Sequence, residues 1–328
     1  MKKRNGKRTV LLILALLIAF FAVINLIPPK QNVKDNPFLL EAGQKTMIAA
    51  HRGGGKNYPE NTMLAFRQAV FTTGVDILES DLYLTADGYL VFNHDAYIDR
   101  TCNVNGDIPV EEAKAKRHYI RDMTLQELQQ YNFGYYFEDT DGQRVYRDVS
   151  DPVSAGLQIA EAGQMFAEFY EAAPDLLFIV EMKDEGERGR EACRVLWELL
   201  EQYPAYLNRI VIGTFHDEIE EELKNNYPQL LRGAPTGTAA KFILTQYLGV
   251  NLFDRSDFAC LQIPMEYDLG ITIPLDQKTL IRQAHRRNIA VQYWTINEPD
   301  EMRQLIDLGC DCIMTDDPIL LKQILEEK

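Results

Sequence analysis

The stretch Asp76-Ile-Leu-Glu-Ser-Asp-Leu-Tyr-Leu-Thr-Ala-Asp-Gly-Tyr-Leu-Val-Phe-Asn-His-Asp95 decides the fold of this chain. It contains two apolar runs typical of β-strands, separated by the turn signal Thr85-Ala-Asp-Gly88. The pattern therefore predicts a β-hairpin. The hairpin matters because the chain has nine candidate strands, one more than an eight-stranded barrel requires, and it accounts for the additional strand.

Outside the hairpin, short apolar runs alternate with longer helical patterns, which indicates parallel strands joined by helical crossovers. Over 328 residues, of which 46% are hydrophobic and 25% charged, this alternation predicts an α/β fold, a TIM-like (β/α)8 barrel formed by residues 45–328. An open doubly wound sheet is the alternative, although its usual Gly-rich first turn is not matched by His51-Arg-Gly-Gly-Gly-Lys56. The predicted strands are 46–50, 76–81, 90–93, 177–182, 210–214, 230–233, 258–263, 289–295 and 311–314, and the clearest predicted helices are 62–73, 188–201, 218–226, 276–287 and 299–307.

Residues from about 96 to 175 show no clear strand and include a Tyr-rich, acidic stretch at 131–139. We interpret them as a long insertion in the barrel. Insertions of this kind commonly lie above the catalytic face and shape the substrate pocket.

The N-terminus combines a basic segment with an apolar one. Residues 9–28 carry no charge, and as a helix they span roughly 30 Å, enough to cross a bilayer core. We predict a basic cytoplasmic tail (1–8), one transmembrane anchor (9–28), a linker (29–44) and a barrel held at the cell membrane on its extracytoplasmic side. A cleaved signal peptide is the alternative, although its apolar region is usually shorter and ends in a small-residue cleavage site.

Charge and cysteine content narrow the function classes. The net charge of −15 argues against a nucleic-acid partner, because phosphate backbones are bound by clustered Lys and Arg. The five cysteines are scattered, odd in number and not at zinc-finger spacing, so we expect buried thiols and no disulfide framework.

Polar residues collect at the C-terminal ends of the candidate strands, where barrel enzymes carry their catalytic groups. Glu79 and Asp81 stand at i and i+2, so both point to one face of a strand, roughly opposite His94 and Phe92 across the hairpin. Two buried carboxylates without a cation would be costly, and Glu181 can complete an oxygen shell. We therefore predict a divalent metal site of these three residues, and oxygen donors favour Ca²⁺ or Mg²⁺ over Zn²⁺. The alternative is the solvent-facing side of an edge strand.

Two of the five histidines, His51 and His94, also lie at strand ends. Two imidazoles across a phosphodiester can act as general acid and general base. Arg52 offers a bidentate fork for phosphate oxygens, and Lys183 offers a compact second cation. Salt bridges to the neighbouring acids are the alternative role of both cations.

Three supporting candidates complete the set. Glu60, just before a predicted helix, can turn back to hold His51 or Arg52. Asn61 next to it is a supporting residue, or else Asn61 or Thr62 is the N-cap of that helix. Trp294 at a strand end is either a core aromatic or a platform for the apolar or glycerol part of a substrate.

Taken in order, these residues resemble the glycerophosphodiester phosphodiesterase family. Each motif alone is weak, but the ordered series His-Arg-Gly, Glu-x-Asp, His-Asp and Glu-x-Lys is specific, and the resemblance covers residues 46 to about 325. The matching stretches are Ile48-Ala-Ala-His-Arg-Gly53, Pro59-Glu-Asn-Thr62, Leu78-Glu-Ser-Asp-Leu82, Val91-Phe-Asn-His-Asp95, Asp99-Arg-Thr101, Val180-Glu-Met-Lys183, Tyr293-Trp-Thr-Ile-Asn297 and Gly309-Cys-Asp-Cys-Ile-Met-Thr-Asp-Asp-Pro318.

The resemblance implies a TIM-like barrel that hydrolyses glycerophosphodiesters to glycerol 3-phosphate and an alcohol. It also implies a divalent metal on Glu79, Asp81 and Glu181, acid/base roles for His51 and His94, and phosphate contacts by Arg52 and Lys183. A lysophospholipase-D-like or sphingomyelinase-D-like activity on lipids is one alternative, and a catalytically inactive, membrane-tethered binding barrel is another. Because Gly53-Gly54-Gly55-Lys56 extends the His-Arg-Gly motif, we expect a flexible loop there.

Overall fold

The computed structural model describes residues 3–268 and 270–327, with side chains described from residue 7 onward. The strands are β1 (Met47–Ala50), β2 (Ile77–Leu84), β3 (Leu90–Phe92), β4 (Leu177–Met182), β5 (Ile210–Gly213), β6 (Leu231–Arg232), β7 (Cys260–Ile263), β8 (Glu266–Asp268), β9 (Thr272–Pro274), β10 (Ala290–Tyr293) and β11 (Cys312–Thr315). The helices are α1 (Lys3–Leu26), α2 (Met63–Arg67), α3 (Val110–Ala113), α4 (Leu125–Leu128), α5 (Ala162–Ala172), α6 (Gly186–Gln202), α7 (Asp217–Asn226), α8 (Thr236–Tyr247), α9 (Lys278–His285), α10 (Pro299–Leu308) and α11 (Pro318–Glu326).

Eight of these strands form one parallel sheet in the order β6, β5, β4, β2, β1, β11, β10, β7. Its two ends meet where Gly233, directly after β6, pairs in parallel with Cys260 of β7. There the backbone N–H of Ala259 donates to the carbonyl of Arg232 at 2.8 Å. The sheet therefore closes on itself, which confirms the predicted TIM-like barrel and rules out the open doubly wound sheet.

The predicted hairpin is present, since β3 pairs antiparallel with β2 beside the barrel. Its register differs from the prediction by one residue. The backbone N–H of Asn93 donates to the carbonyl of Asp81 at 2.9 Å, so Asp81 lies opposite Asn93 and not opposite Phe92. The reason is that the turn extends to Tyr89, whose carbonyl accepts from the N–H of Thr85 at 2.8 Å.

Two layers of apolar side chains make the core. Ile77 belongs to the cluster that fills the barrel interior, whereas Leu78 and Leu82 belong to the larger cluster between the barrel and its helices. Since side chains alternate along a strand, Glu79 and Asp81 share the interior face with Ile77. All five cysteine thiols are buried and free.

Residues 29–44, predicted as a linker, pack against the N-terminal ends of the barrel strands. The side-chain amide of Asn36 donates to the carbonyls of Ala259 and Asn288, each at 2.8 Å. Phe38 is fully buried in the interior cluster, and the N–H of Leu40 donates to Asp311 at 2.9 Å. This segment closes the end of the barrel opposite the strand C-termini.

The predicted insertion has its own small core, formed around Val91, Ile98 and Ile120. Its last part carries α5, a helix that the sequence did not predict, with the Glu161 side chain accepting from the first-turn N–H groups. Helix α8 and the exposed β8–β9 hairpin were also not predicted. Helix α5 has a glycine in its first turn, which lowers its helix propensity. Strands β8 and β9 are too short to show a clear alternation of apolar and polar residues.

Helix α1 covers most of the predicted anchor, and it is long and apolar enough to cross a membrane. Its side chains from Val10 to Phe21 are largely exposed, and its last turns contact the rest of the chain. Its length and composition fit either a membrane span or a signal sequence.

The closing segment gives a first testable prediction. We expect Phe38→Ala to lower the free energy of unfolding by about 3–5 kcal/mol, because it leaves a cavity in the barrel interior. Phe253→Ala is the matched control, since its ring is 58% exposed and we expect it to cost less than about 1 kcal/mol. Denaturant midpoints measure both, and equal midpoints for the two variants would contradict the packing role of Phe38.

Candidate active site

The C-terminal ends of neighbouring strands bring the predicted residues to one barrel mouth. β1 runs into His51 and Arg52, β2 carries the two acids, and β4 ends with Glu181 and Lys183. Parallel pairing of β1 with both β2 and β11 places His51 between the ends of those strands. A cavity of about 350 Å³ opens there, lined in part by His51, Arg52, Glu60 and Asp316.

The turn after β1 is tightly packed. Gly53 and Gly54 have φ angles of 82° and 90°, which favour glycine. A Cβ atom on Gly53 would lie 2.9 Å from the Phe66 ring, and one on Gly54 would lie 2.9 Å from Pro318. Both glycines are therefore needed for close backbone packing, and the flexibility of the loop stays a prediction.

His51 is held by a carboxylate that the sequence did not single out. Its Nδ1 lies 2.6 Å from Oδ1 of Asp316, and its Nε2 lies 4.0 Å from Glu79. The other oxygen of Asp316 accepts from the side-chain amide of Asn297 at 2.8 Å. Burial alone would lower the pKa of His51, but Glu79 and Asp316 outweigh it and the pKa is raised.

His94 is held in a similar way from another part of the mouth. Its Nδ1 lies 3.0 Å from Asp95, and Asp95 accepts from Nε of Arg100 at 2.6 Å. Arg100 also donates to both oxygens of Glu60, at 2.8 and 2.6 Å. Burial alone would raise the pKa values of Asp95 and Glu60. Hydrogen bonds and charge from His94 and Arg100 instead lower the pKa of Asp95, and those from Arg100 lower the pKa of Glu60.

Glu60 connects the two sides of the mouth. One of its oxygens lies 3.5 Å from Nη1 of Arg52, and both oxygens pair with Arg100. The predicted contact of Glu60 with Arg52 is therefore present. Among the described residues, however, Arg100 lies closer to Glu60 than Arg52 does. Asn61 has a positive φ of 55° and donates to Asp81 at 3.3 Å, and the side chain of Thr62 caps α2.

The three predicted metal ligands are buried or nearly so, and cations compensate them. Burial raises the pKa of Glu79 to about 7, against the opposing effect of His51, and burial also raises the pKa of Glu181. Nζ of Lys183 lies 3.1 Å from Asp81 and 2.9 Å from Glu181, and Nε of Arg52 lies 3.6 Å from Asp81. The salt bridges considered for Arg52 and Lys183 are thus formed, and the edge-strand interpretation of the acids is wrong because Glu79 and Asp81 are buried.

The donor chemistry of these acids fits a hard divalent cation. All of the carboxylates supply oxygen, and Oδ1 of Asn61, whose amide contacts Asp81, is buried without a hydrogen-bond partner. Within the described residues, a tighter group lies at the rim, where ligand atoms of Glu185, His216 and Glu218 are within 4.8 Å of one another. Glu185 in that group is exposed, and among the described residues the carboxylates of Glu79, Asp81 and Glu181 do not form a group of that spacing.

Trp294 lies at the mouth with 36% of its surface exposed, so it is not a core aromatic. Its ring and that of Phe215, which follows β5, form an edge-to-face pair with centroids 6.4 Å apart. The pair presents an apolar surface beside the charged groups.

Sequence analysis did not assign roles to Asp316, Asn297, Asp95 and Arg100. The signal for Asp316 was available, because it follows the last strand as His51 follows the first, and those strands are neighbours in a closed barrel. The signal for Arg100 was weaker, since it lies in the irregular segment where no periodicity fixes a neighbour.

The chain is similar to known proteins over most of its length. Residues 51–320 match the model of the glycerophosphoryl diester phosphodiesterase family. A glycerophosphodiester phosphodiesterase of Caldanaerobacter subterraneus subsp. tengcongensis is 26% identical over 86% of this chain and 99% of its own length. Rat lysophospholipase D GDPD1 is 25% identical over 84% of this chain and 85% of its own length.

Solved structures show the same fold. The glycerophosphoryl diester phosphodiesterase domain of a Mycobacterium tuberculosis protein superposes with a TM-score of 0.68 at 17% identity, covering 85% of this chain and 99% of that domain. An Oleispira antarctica phosphodiesterase, solved in complex with the product sn-glycerol-3-phosphate, superposes with a TM-score of 0.60 at 18% identity, covering 86% of this chain and 97% of that one.

The contact between His51 and Asp316 predicts a pKa change. We expect Asp316→Asn to lower the pKa of His51, because the charged imidazolium loses its carboxylate acceptor. While Asp316 stays ionised, the pair stabilises the fold below the unfolded-state pKa of His51, and this contribution is lost as the pH rises through the folded-state pKa of His51. NMR titration of the imidazole resonances measures the shift, with His118, which pairs with Asp99 at 2.7 Å, as the internal control. An unchanged His51 pKa would mean that Asp316 does not stabilise the protonated imidazolium of His51.

Proposed function

Because the chain belongs to the glycerophosphoryl diester phosphodiesterase family and is therefore a phosphoric diester hydrolase, we propose that it uses a divalent cation and two histidines to cleave glycerophosphodiesters. The products are glycerol 3-phosphate and an alcohol. The observation that carries the proposal is the pairing of each histidine with an aspartate at the mouth, beside buried carboxylates and two cationic side chains.

Glu79, Asp81 and Glu181 would hold the cation, Ca²⁺ or Mg²⁺. When bound, it supplies Lewis-acid polarisation of the phosphoryl oxygens. The raised pKa values of Glu79 and Glu181 support this assignment, since burial disfavours the charged form of both carboxylates more than their neighbours favour it.

The histidines move the protons. Asp316 fixes the ring of His51 through Nδ1 and leaves Nε2 directed to the interior, where Glu79 lies 4.0 Å away. Asp95 contacts Nδ1 of His94 in the same way. One imidazole takes the proton of the attacking hydroxyl, which belongs to water or to the glycerol 2-position of the substrate, and the other gives a proton to the leaving alcohol oxygen. Where the 2-hydroxyl attacks, a water molecule then opens the cyclic phosphate to glycerol 3-phosphate.

Arg52 and Lys183 bind the phosphate. Both cations lie beside Asp81, and a diester anion between them gains charge-assisted hydrogen bonds. Glu60 contacts Arg52 and also pairs with Arg100, which in turn donates to Asp95. This chain of contacts fixes the position of Arg52 relative to the His94–Asp95 pair. Trp294 offers its exposed face to the apolar or glycerol part of the substrate.

We further propose that α1 is retained as a single-pass membrane anchor with the barrel outside the cytoplasm. The side-chain amide of Asn25 donates to the carbonyl of Gly249 at 2.9 Å, and Arg286 donates to the carbonyls of Asn25 and Ile27 at 2.9 Å. A signal peptide that is cleaved after export would not keep such contacts with the mature domain. Five basic residues between positions 2 and 8, before the span, favour a cytoplasmic N-terminus.

Hydrolysis of glycerophosphocholine tests the metal. We expect a chelator to reduce turnover at least about 100-fold, with recovery on adding Ca²⁺ or Mg²⁺, because several kcal/mol of transition-state stabilisation is removed. Glu79→Gln should reproduce the loss, whereas Glu218→Gln at the rim is the control and should not. Full activity in chelator would overturn the metal role, and no turnover of any phosphodiester by metal-loaded protein would overturn the enzymatic role.

Replacing the histidines tests the proton transfers. We expect His51→Ala and His94→Ala each to lower kcat/KM by about 10²–10⁴-fold, the usual contribution of a positioned acid or base. His118→Ala is the matched control, because His118 also pairs with an aspartate but lies in the segment between β3 and α5. If His51→Ala or His94→Ala retains activity within about tenfold of the unaltered chain, that residue is not an acid or base.

A further inference from the structure

An exposed apolar surface lies beside the point where α1 meets the barrel. Leu244 and Leu248 are one helical turn apart at the end of α8, and Phe253 follows in the next short turn. More than half of each side chain is exposed. We call these three residues the α8 patch. Three largely exposed apolar side chains within ten residues, on a protein with a net charge of −15, indicate a contact with another apolar phase.

The α8 patch is continuous with the end of α1. Gly249, which lies between Leu248 and Phe253 in sequence, accepts the hydrogen bond from Asn25. A Cβ atom on Gly249 would lie 3.8 Å from the ring of Phe21, so the two backbones approach closely there. Ile24 of α1 is buried in the same contact region. The last turns of α1 therefore adjoin the chain directly after α8, next to Leu248.

The connection from α1 to the barrel is short and fixed. The N–H of Asn32 donates to the carbonyl of Arg287 at 2.8 Å, and the side chain of Asn32 donates to the carbonyl of Phe258 at 3.0 Å. Phe258 precedes β7 and Arg287 precedes β10, so both lie at the N-terminal ends of strands. Since Phe38 is buried at that same end, α1 cannot swing freely around the barrel.

The mouth lies at the other end. His51 and Asp316 directly follow the C-termini of β1 and β11, and all barrel strands are parallel. A helix that crosses the bilayer and ends under the N-terminal ends of the strands therefore leaves the mouth directed away from the lipid.

We propose that the α8 patch lies in the interfacial region of the bilayer, so that the barrel rests on the lipid surface with its mouth open to the aqueous side. The inference rests on the proposed membrane anchor and on the proposed hydrolase site. The occupant of the patch is lipid, because the adjoining apolar surface of α1 already requires a bilayer at that level. It follows that the substrates are water-soluble phosphodiesters, which reach the mouth from solution.

Depth measurement on the full chain tests the orientation. Leu248→Cys and, separately, Phe253→Cys are labelled with an environment-sensitive fluorophore, and the protein is reconstituted in phosphatidylcholine vesicles. The five native thiols are all buried, which favours selective labelling of the introduced one. Tyr89→Cys is the matched control, since Tyr89 is 49% exposed against 58% for Leu248 but lies in the β2–β3 turn beyond the mouth.

We expect phospholipids with a nitroxide on the acyl chain to quench the labels at 248 and 253 at least about twofold more than the label at 89, because interfacial residues lie within reach of the acyl chains. Equal quenching at all three sites, or stronger quenching at 89, would overturn the orientation. Weak quenching at 248 and 253 with energy transfer between differently labelled copies would assign the α8 patch to a second copy and would also overturn it.

Vesicle association and hydrolysis separate the possible failures. If an alkaline wash releases the chain from vesicles, the anchor itself fails and the orientation fails with it. If the labelled chain stays in the vesicles, hydrolyses soluble glycerophosphocholine and shows no quenching at 248 or 253, only the orientation is overturned. Hydrolysis is expected to equal that of the unlabelled chain, because neither position belongs to the mouth.

Discussion

The pairing of β1 with both β2 and β11 is the constraint on which the rest of the molecule depends. Ala49 lies opposite Ile77 on one side and Met314 on the other. This double pairing joins the first part of the sheet to the last and fixes the relative height of three strand ends. His51, Glu79 and Asp316 become neighbours only through it, since they are far apart in sequence. A shift of β1 by one residue would reverse the direction of its side chains and take His51 out of the mouth.

Once the barrel is closed, the dominant energetic problem at the mouth is buried negative charge. Glu79 and Asp81 are both buried on the interior face of one strand. Arg52 relieves part of that charge, through its backbone N–H to Glu79 at 2.8 Å and its side chain beside Asp81. Lys183 relieves another part between Asp81 and Glu181. The remaining deficit is visible in the pKa of Glu79, which burial raises despite the opposing effect of His51.

The sequence predicted those elements correctly whose local residue pattern agrees with their place in the barrel. All nine predicted strands form, because each is a short apolar run bounded by polar residues, and the alternation with helices predicted parallel order. The site residues on strand ends were found for the same reason. Asp316 and Arg100 were not found, because their importance comes from which strands and loops become neighbours after closure. The register of the β2–β3 hairpin was missed by one residue because the length of a turn depends on backbone bonds that composition does not show.

The two histidine–aspartate pairs are held in place by different parts of the fold. This difference decides which side of the mouth can change shape when the sequence changes. His51 is 14% exposed and is held by residues that follow β1 and β11, so barrel geometry alone fixes it. His94 is 36% exposed and is held by Asp95 and Arg100, which begin the long irregular segment between β3 and α5. Glu60 is the described link between this segment and Arg52. Sequence changes in the segment can therefore move His94 and reshape the open side of the mouth, while His51 and the buried acids keep the positions that strand pairing imposes on them.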